Sequence, residues 1–101
     1  MKKNGRVYFI TNELRTGIKI GFTTRAIEIR LNQLKTGSNE KLEILYVIEN
    51  SSVDYETYLH KYFGNEYKTR KNSEWFDYDM VWKWIKRDKL EKEVLRQEGM
   101  I

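Results

Sequence analysis

Arg6-Val7-Tyr8-Phe9-Ile10-Thr11 and Ile18-Lys19-Ile20-Gly21-Phe22 have the β-branched and aromatic density of two strands, and the polar segment between them, ending in Thr16-Gly17, joins them as a hairpin. Strand alternation puts Tyr8 and Ile10 on one face of the first strand. On the second, Lys19 and Gly21 share a face, with Ile18, Ile20 and Phe22 on the other. Register decides what this hairpin can do. With Tyr8 opposite Lys19 the phenol and amine lie side by side; slipped by one residue, they point to opposite faces.

Outward from the hairpin, Thr23 and Thr24 offer caps for a helix in which Ile27, Leu31 and Leu34 recur at i, i+4 and i+7, with Gly37 as its stop. Residues 42–49 read as a third strand, with Ile44, Tyr46 and Ile48 on one face and Leu45 and Val47 on the other. Apolar residues on both faces predict a central or doubly covered strand. Ser51 or Ser52 begins a second helix with Tyr55, Leu59, Tyr62 and Phe63 on its apolar side, and Gly64 ends it. A polar loop over 65–73 carries Lys68, Arg70 and Lys71 and closes on Glu74-Trp75-Phe76, whose apolar context makes Trp75 and Phe76 core residues rather than base-stacking ones. A last helix from about Asp79 buries Val81, Trp84 and Ile85. Its continuation over 86–96 is dense in charge, with only Leu90, Val94 and Leu95 apolar. This stretch reads as a solvated helical tail, the alternative being a stripe for a partner or for homo-oligomerisation. The order ββαβαα predicts an α+β fold: a small antiparallel sheet of about three strands flanked by three helices. With no proline and no composition break, residues 1–101 form one domain, with a core at about 5–85 and a charged tail at 86–101.

The absence of cysteine excludes disulfides, thiolate zinc sites and cysteine nucleophiles. Only Val7 to Ile10 follows the basic start at Lys2-Lys3, too short for a signal h-region, and Ile44 to Ile48 is far below membrane-spanning length; a soluble, cytoplasmic or otherwise intracellular protein is expected. All of the net charge of +4 lies in residues 1–50, whereas 51–101 are balanced. Basic residues concentrated in one half favour an anionic partner, nucleic acid first.

Two charges fall where core is expected. Arg30 lies three residues after Ile27 and four before Leu34, so it projects beside the apolar stripe and faces the sheet. Glu56 precedes Leu59 by three and Phe63 by seven, and His60 shares its flank at i+4. A charge in such a place must be paired, solvated in a cleft or chemically employed. Together Tyr8, Lys19, Arg30, Glu56 and His60 suit phosphodiester hydrolysis. A carboxylate can hold a divalent cation, a guanidinium can neutralise charge on the transition state, and a phenol or amine can take a proton from water. The structural alternative is an Arg30 to Glu56 ion pair, a satisfied helix histidine and a half-buried strand aromatic.

The ordered set Gly5-Arg6-Val7-Tyr8-Phe9-Ile10, Ile18-Lys19-Ile20-Gly21-Phe22-Thr23, Arg30-Leu31, Glu56-Thr57-Tyr58-Leu59-His60 and Glu74-Trp75-Phe76 resembles the GIY-YIG endonuclease superfamily, over roughly residues 5–85. It is similar in particular to the small phage and viral branch whose second motif reads Lys-Ile-Gly. Tyr8 matches the first motif's tyrosine and Lys19-Ile20-Gly21 the second motif, Lys19 standing where a tyrosine is usual. Arg30 matches the helix arginine and Glu56 the metal-binding glutamate. For the late asparagine of the family, Asn72 and Glu74 are the candidates.

The resemblance implies a hydrolytic cut in DNA, of low intrinsic sequence specificity, with one Mg2+ or Mn2+ held by Glu56. Tyr8 or Lys19 serves as or assists the base, and Arg30 steadies the phosphate. Gly21 would let the backbone approach the substrate, while Arg25, Lys35, Lys68, Arg70 and Lys71 would add sequence-independent phosphate contacts. The competing class is a catalytically inactive nucleic-acid-binding module with the same fold.

Overall fold

The first strand is the centre of the molecule because it is apolar on both faces. In the computed structural model, which describes residues 5–36, 41–67 and 75–99, β1 (Gly5–Asn12) pairs with β2 (Gly17–Thr23) and with β3 (Leu42–Ser51), and β2 pairs in turn with a short β4 (Trp75–Asp77). Every pairing is antiparallel and the strand order is β3-β1-β2-β4. Three helices complete an α+β fold among the described residues: α1 (Ile27–Thr36), α2 (Val53–Tyr67) and α3 (Tyr78–Gln97).

The period-2 pattern of the hairpin sorts the helices onto the two faces. Val7, Phe9, Ile18 and Ile20 face one way and pack with Leu59 and Phe63 of α2 and with Val81 and Ile85 of α3. Tyr8 and Ile10 face the other way, toward Ile27, Leu31 and Leu34 of α1, with Leu42, Ile44 and Trp75. The hairpin and the three helices stand where the residue pattern predicts them.

Four details depart from expectation. The sheet has a fourth strand: Phe76 is fully buried opposite Ile18, and Trp75 joins the α1 side. In β3 an extra residue at Leu45, where partners jump from Tyr46 to Ile44, shifts the alternation, so Leu45, Tyr46 and Ile48 all serve the α2/α3 side while Ile44 serves the other. The strand is doubly covered yet lies at the sheet's edge. Gly64 does not end α2, which continues to Tyr67. The residue tolerates a helix interior at a cost of about 1 kcal/mol relative to alanine.

Local chemistry sets the helix starts. Ser52 caps α2, its hydroxyl accepting the Tyr55 N–H at 3.4 Å, and Asp77 caps α3, its carboxylate accepting the Met80 N–H at 3.2 Å. Ahead of α1 the first helical carbonyl is that of Ala26, while the Thr23 hydroxyl accepts the Arg25 N–H at 3.1 Å and shapes the turn instead of capping the helix.

The charged half of α3 is tied to β3. The Tyr46 hydroxyl donates to Asp88 at 2.6 Å, Lys92 donates to the Tyr46 oxygen at 3.1 Å and pairs with Asp88 at 3.0 Å, and Lys89 lies over the rings of Tyr46 and Trp82. On the same half of the helix Leu90 and Val94 are exposed. Burial first, and then the hydrogen bond to Asp88 and its charge, push the Tyr46 phenol well above its ordinary value. An unfolded chain releases that proton at the usual tyrosine value of about 10, so this contribution to stability is whole below that pH and is lost as pH rises toward the folded-state value. Denaturant titrations between about pH 9 and 11 should therefore show stability falling with pH, and Tyr46→Phe should flatten that slope. An unchanged slope would contradict the assignment.

Candidate functional site

On the α1 face the site begins with the hairpin register. Tyr8 stands opposite Gly21, and Lys19 opposite Ile10. The register is two residues away from a Tyr8–Lys19 pairing, so the phenol and amine share a face as diagonal neighbours. Tyr8 is 1% exposed, and a Cβ built on Gly21 would fall within its phenol ring. Glycine is needed here because Tyr8 fills the space above it. Lys19, 9% exposed, is flanked in the sheet by Ile10 and Trp75.

Arg30 reaches this layer from α1. Its Nε donates to the Tyr8 hydroxyl oxygen at 3.1 Å, and one terminal nitrogen donates to Gln33 Oε1 at 3.4 Å. Among the described residues Arg30 forms no ion pair, so the pairing with Glu56 that would have made both charges structural is not what holds it. Beside the guanidinium an open groove of about 410 Å³ is lined by Phe22, Thr23, Thr24, Arg25, Arg30 and Gln33. Two guanidinium groups and the first turn of α1 make it suited to an anion. The turn beneath it is pinned from β1: Arg6 donates to the Arg25 carbonyl at 3.0 Å and pairs with Glu49 at 2.8 Å.

Glu56 and His60 come from the other side. They share a flank of α2 as their spacing predicts, Glu56 Oε2 lying 3.8 Å from His60 Nε2, with side chains 19% and 16% exposed. Their helix packs on the face opposite α1, so Glu56 and Arg30 approach the hairpin from opposite faces. Among the described residues β4 pairs only with Gly17, Ile18 and Lys19. One residue further along, the Ile20 carbonyl accepts a hydrogen bond from His60 Nε2 at 2.8 Å, and the His60 ring stands edge-on to Phe76. Glu56, 3.8 Å from His60, thus lies on the side of α2 that is tied to β2 at Ile20.

Of the remaining candidates, Arg25 lines the groove beside Arg30. Lys35 does not: it lies at the far end of α1, around a separate hollow with Glu13, Arg15, Lys41 and Glu43. Lys68, Arg70, Lys71, Asn72 and Glu74 lie outside the described residues. Sequence reasoning passed over Gln33 and Thr24, although the i, i+3 step from Arg30 to Gln33 was a usable signal. Among the described residues no group of three or more His, Cys, Asp or Glu is placed to cage a metal ion. A magnesium ion needs no such cage, since one carboxylate, substrate phosphate and water can complete its shell, and the partly exposed Glu56 carboxylate fits that role.

The four-stranded antiparallel sheet and its three helices are those of a nuclease-associated α+β domain. The chain belongs to the T5orf172 domain family, whose model matches residues 5–96. Neither the curated proteins nor the solved structures contain a match to it. No helix among the described residues is long and apolar enough to cross a membrane.

Proposed function

We propose that this chain is a GIY-YIG-type, metal-dependent endonuclease that hydrolyses phosphodiester bonds in DNA with little sequence preference. The observation that carries this reading is Arg30: a guanidinium without an ion pair among the described residues, fixed by Tyr8 at the mouth of an open groove. Arg30 and Arg25 receive the phosphate and offset charge as the phosphorus becomes five-coordinate. Water attacks phosphorus, its proton passes toward Tyr8 or Lys19, and the bond to the leaving oxygen breaks in line. Glu56 would hold Mg2+ or Mn2+, which supplies Lewis-acid stabilisation to the phosphate oxygens.

The test is a plasmid-nicking assay with magnesium or manganese. Arg30→Ala should lower the rate by about 10²-fold or more, the scale of losing one charge-stabilising donor, and leave the fold intact. Tyr8→Phe and Lys19→Met, compared in the same assay, identify the base by which of them loses turnover with DNA binding retained. A wild-type protein that leaves DNA uncut with either metal, yet binds it independently of metal, would establish the binding-module alternative instead.

A further inference from the structure

We infer that His60 is a positioning residue: its Nε2–H is fixed on the Ile20 carbonyl of β2, and the ring so held keeps Glu56 in place to bind the metal. The inference rests on the nuclease reading and assigns His60 a task within it that is not proton transfer. A carbonyl can only accept, so the 2.8 Å contact to the Ile20 oxygen requires the hydrogen on Nε2. Ile20 is fully buried, and a buried carbonyl left without a donor is costly. Among the described residues the donor that satisfies the Ile20 carbonyl from α2 is His60.

The same nitrogen lies 3.8 Å from Glu56 Oε2, and the ring is held edge-on by Phe76, a fully buried core residue. One imidazole therefore bonds the β2 backbone, packs on the core and stands beside the carboxylate. A glutamate side chain has three rotatable bonds. At 3.8 Å the ring is a packed polar neighbour of Glu56 rather than its hydrogen-bond donor, and a ring fixed one helical turn away narrows where the carboxylate oxygens rest. With Nε2 engaged on the Ile20 carbonyl, His60 is poorly placed to accept a proton from water at that nitrogen.

Three substitutions separate the roles: His60→Leu removes the donor, His60→Asn shortens it out of reach of the Ile20 carbonyl, and His60→Gln places an N–H near the Nε2 position. The readout is Mn2+ titration of the protein without DNA, followed by paramagnetic broadening of amide signals around Glu56 and Gly21. Leu and Asn should weaken Mn2+ binding by about tenfold or more, the usual cost of losing an outer partner, while Gln stays within about threefold of wild type. In the nicking assay the magnesium concentration for half-maximal rate should rise in parallel, with a smaller effect on the rate at saturating metal. Should His60→Leu fail to fold, Asn against Gln decides the matter, and equal Mn2+ affinity in those two overturns the inference. Wild-type affinity in a folded His60→Leu overturns it while leaving the nuclease reading standing. Absence of broadening at Glu56 in the wild-type protein overturns the inference, and the nicking assay with magnesium or manganese then decides the nuclease reading by itself.

Discussion

Glu56→Ala should abolish metal-dependent cleavage without unfolding the protein. Metal assistance contributes several kcal/mol to the transition state, and at about 1.4 kcal/mol per tenfold its loss corresponds to a rate reduction on the order of 10³-fold. The expected cost to stability is small. Glu56 is partly exposed in the first turn of α2, where an acidic side chain contributes about 0.3–1 kcal/mol through the helix dipole, and alanine returns part of that through its helix propensity. His60 keeps its bond to Ile20 in the variant, so the β2 edge should hold. DNA binding without metal should be unchanged or tighter, because a carboxylate near a phosphate repels it unless a cation intervenes. Cleavage within tenfold of wild type, or loss of DNA binding together with activity, would contradict the role given to Glu56.

How much of this could be read from the residues follows from what each pattern encodes. The hairpin was legible because Val7, Phe9, Ile18 and Ile20 alternate strictly with Tyr8, Ile10, Lys19 and Gly21. Alternation cannot distinguish two registers that differ by two residues, since both leave every side chain on its own face. The turn makes that choice. Asn12 accepts the Thr16 N–H at 2.9 Å and donates to the Thr16 hydroxyl at 2.7 Å, Arg15 takes a positive φ of 54°, and the strands then meet with Thr11 opposite Ile18. The bulge at Leu45 was hidden because an inserted apolar residue leaves an apolar strand looking unchanged. Three residues are too few for β4 to show a period. The shared flank of Glu56 and His60 followed from helical spacing. That α2 crosses to the face opposite α1 did not, because the face a helix covers is a property of the connections rather than of its own residues.

The second large effect belongs to Gly21→Ala, and it tests why the glycine is there. A methyl group at that position would overlap the far end of the Tyr8 ring, including the hydroxyl that accepts from Arg30. An exposed tyrosine could swing aside. Tyr8 cannot do so cheaply, since it lies in the central strand, 1% exposed, packed with Ile10 and Leu42 and held by Arg30. Either the phenol rotates away from the guanidinium or the edge of β2 lifts, and both movements separate the groups proposed to meet the phosphate. Overpacking of this kind costs about 1–3 kcal/mol, so the melting temperature should fall along with activity, which should drop by about 10²-fold or more. A double-mutant cycle isolates the cause. In a Tyr8→Leu background the ring is gone, and Gly21→Ala should then cost less than about 0.5 kcal/mol, because alanine orders a strand more readily than glycine once the clash is removed. Tyr8→Phe is the intermediate case, relieving the hydroxyl overlap and leaving that with the ring. If the penalty of Gly21→Ala were the same whether residue 8 is tyrosine or leucine, the glycine would be serving the backbone of β2 itself. The coupling between the two positions is therefore the quantity to measure, with stability and nicking rate followed on the same four proteins.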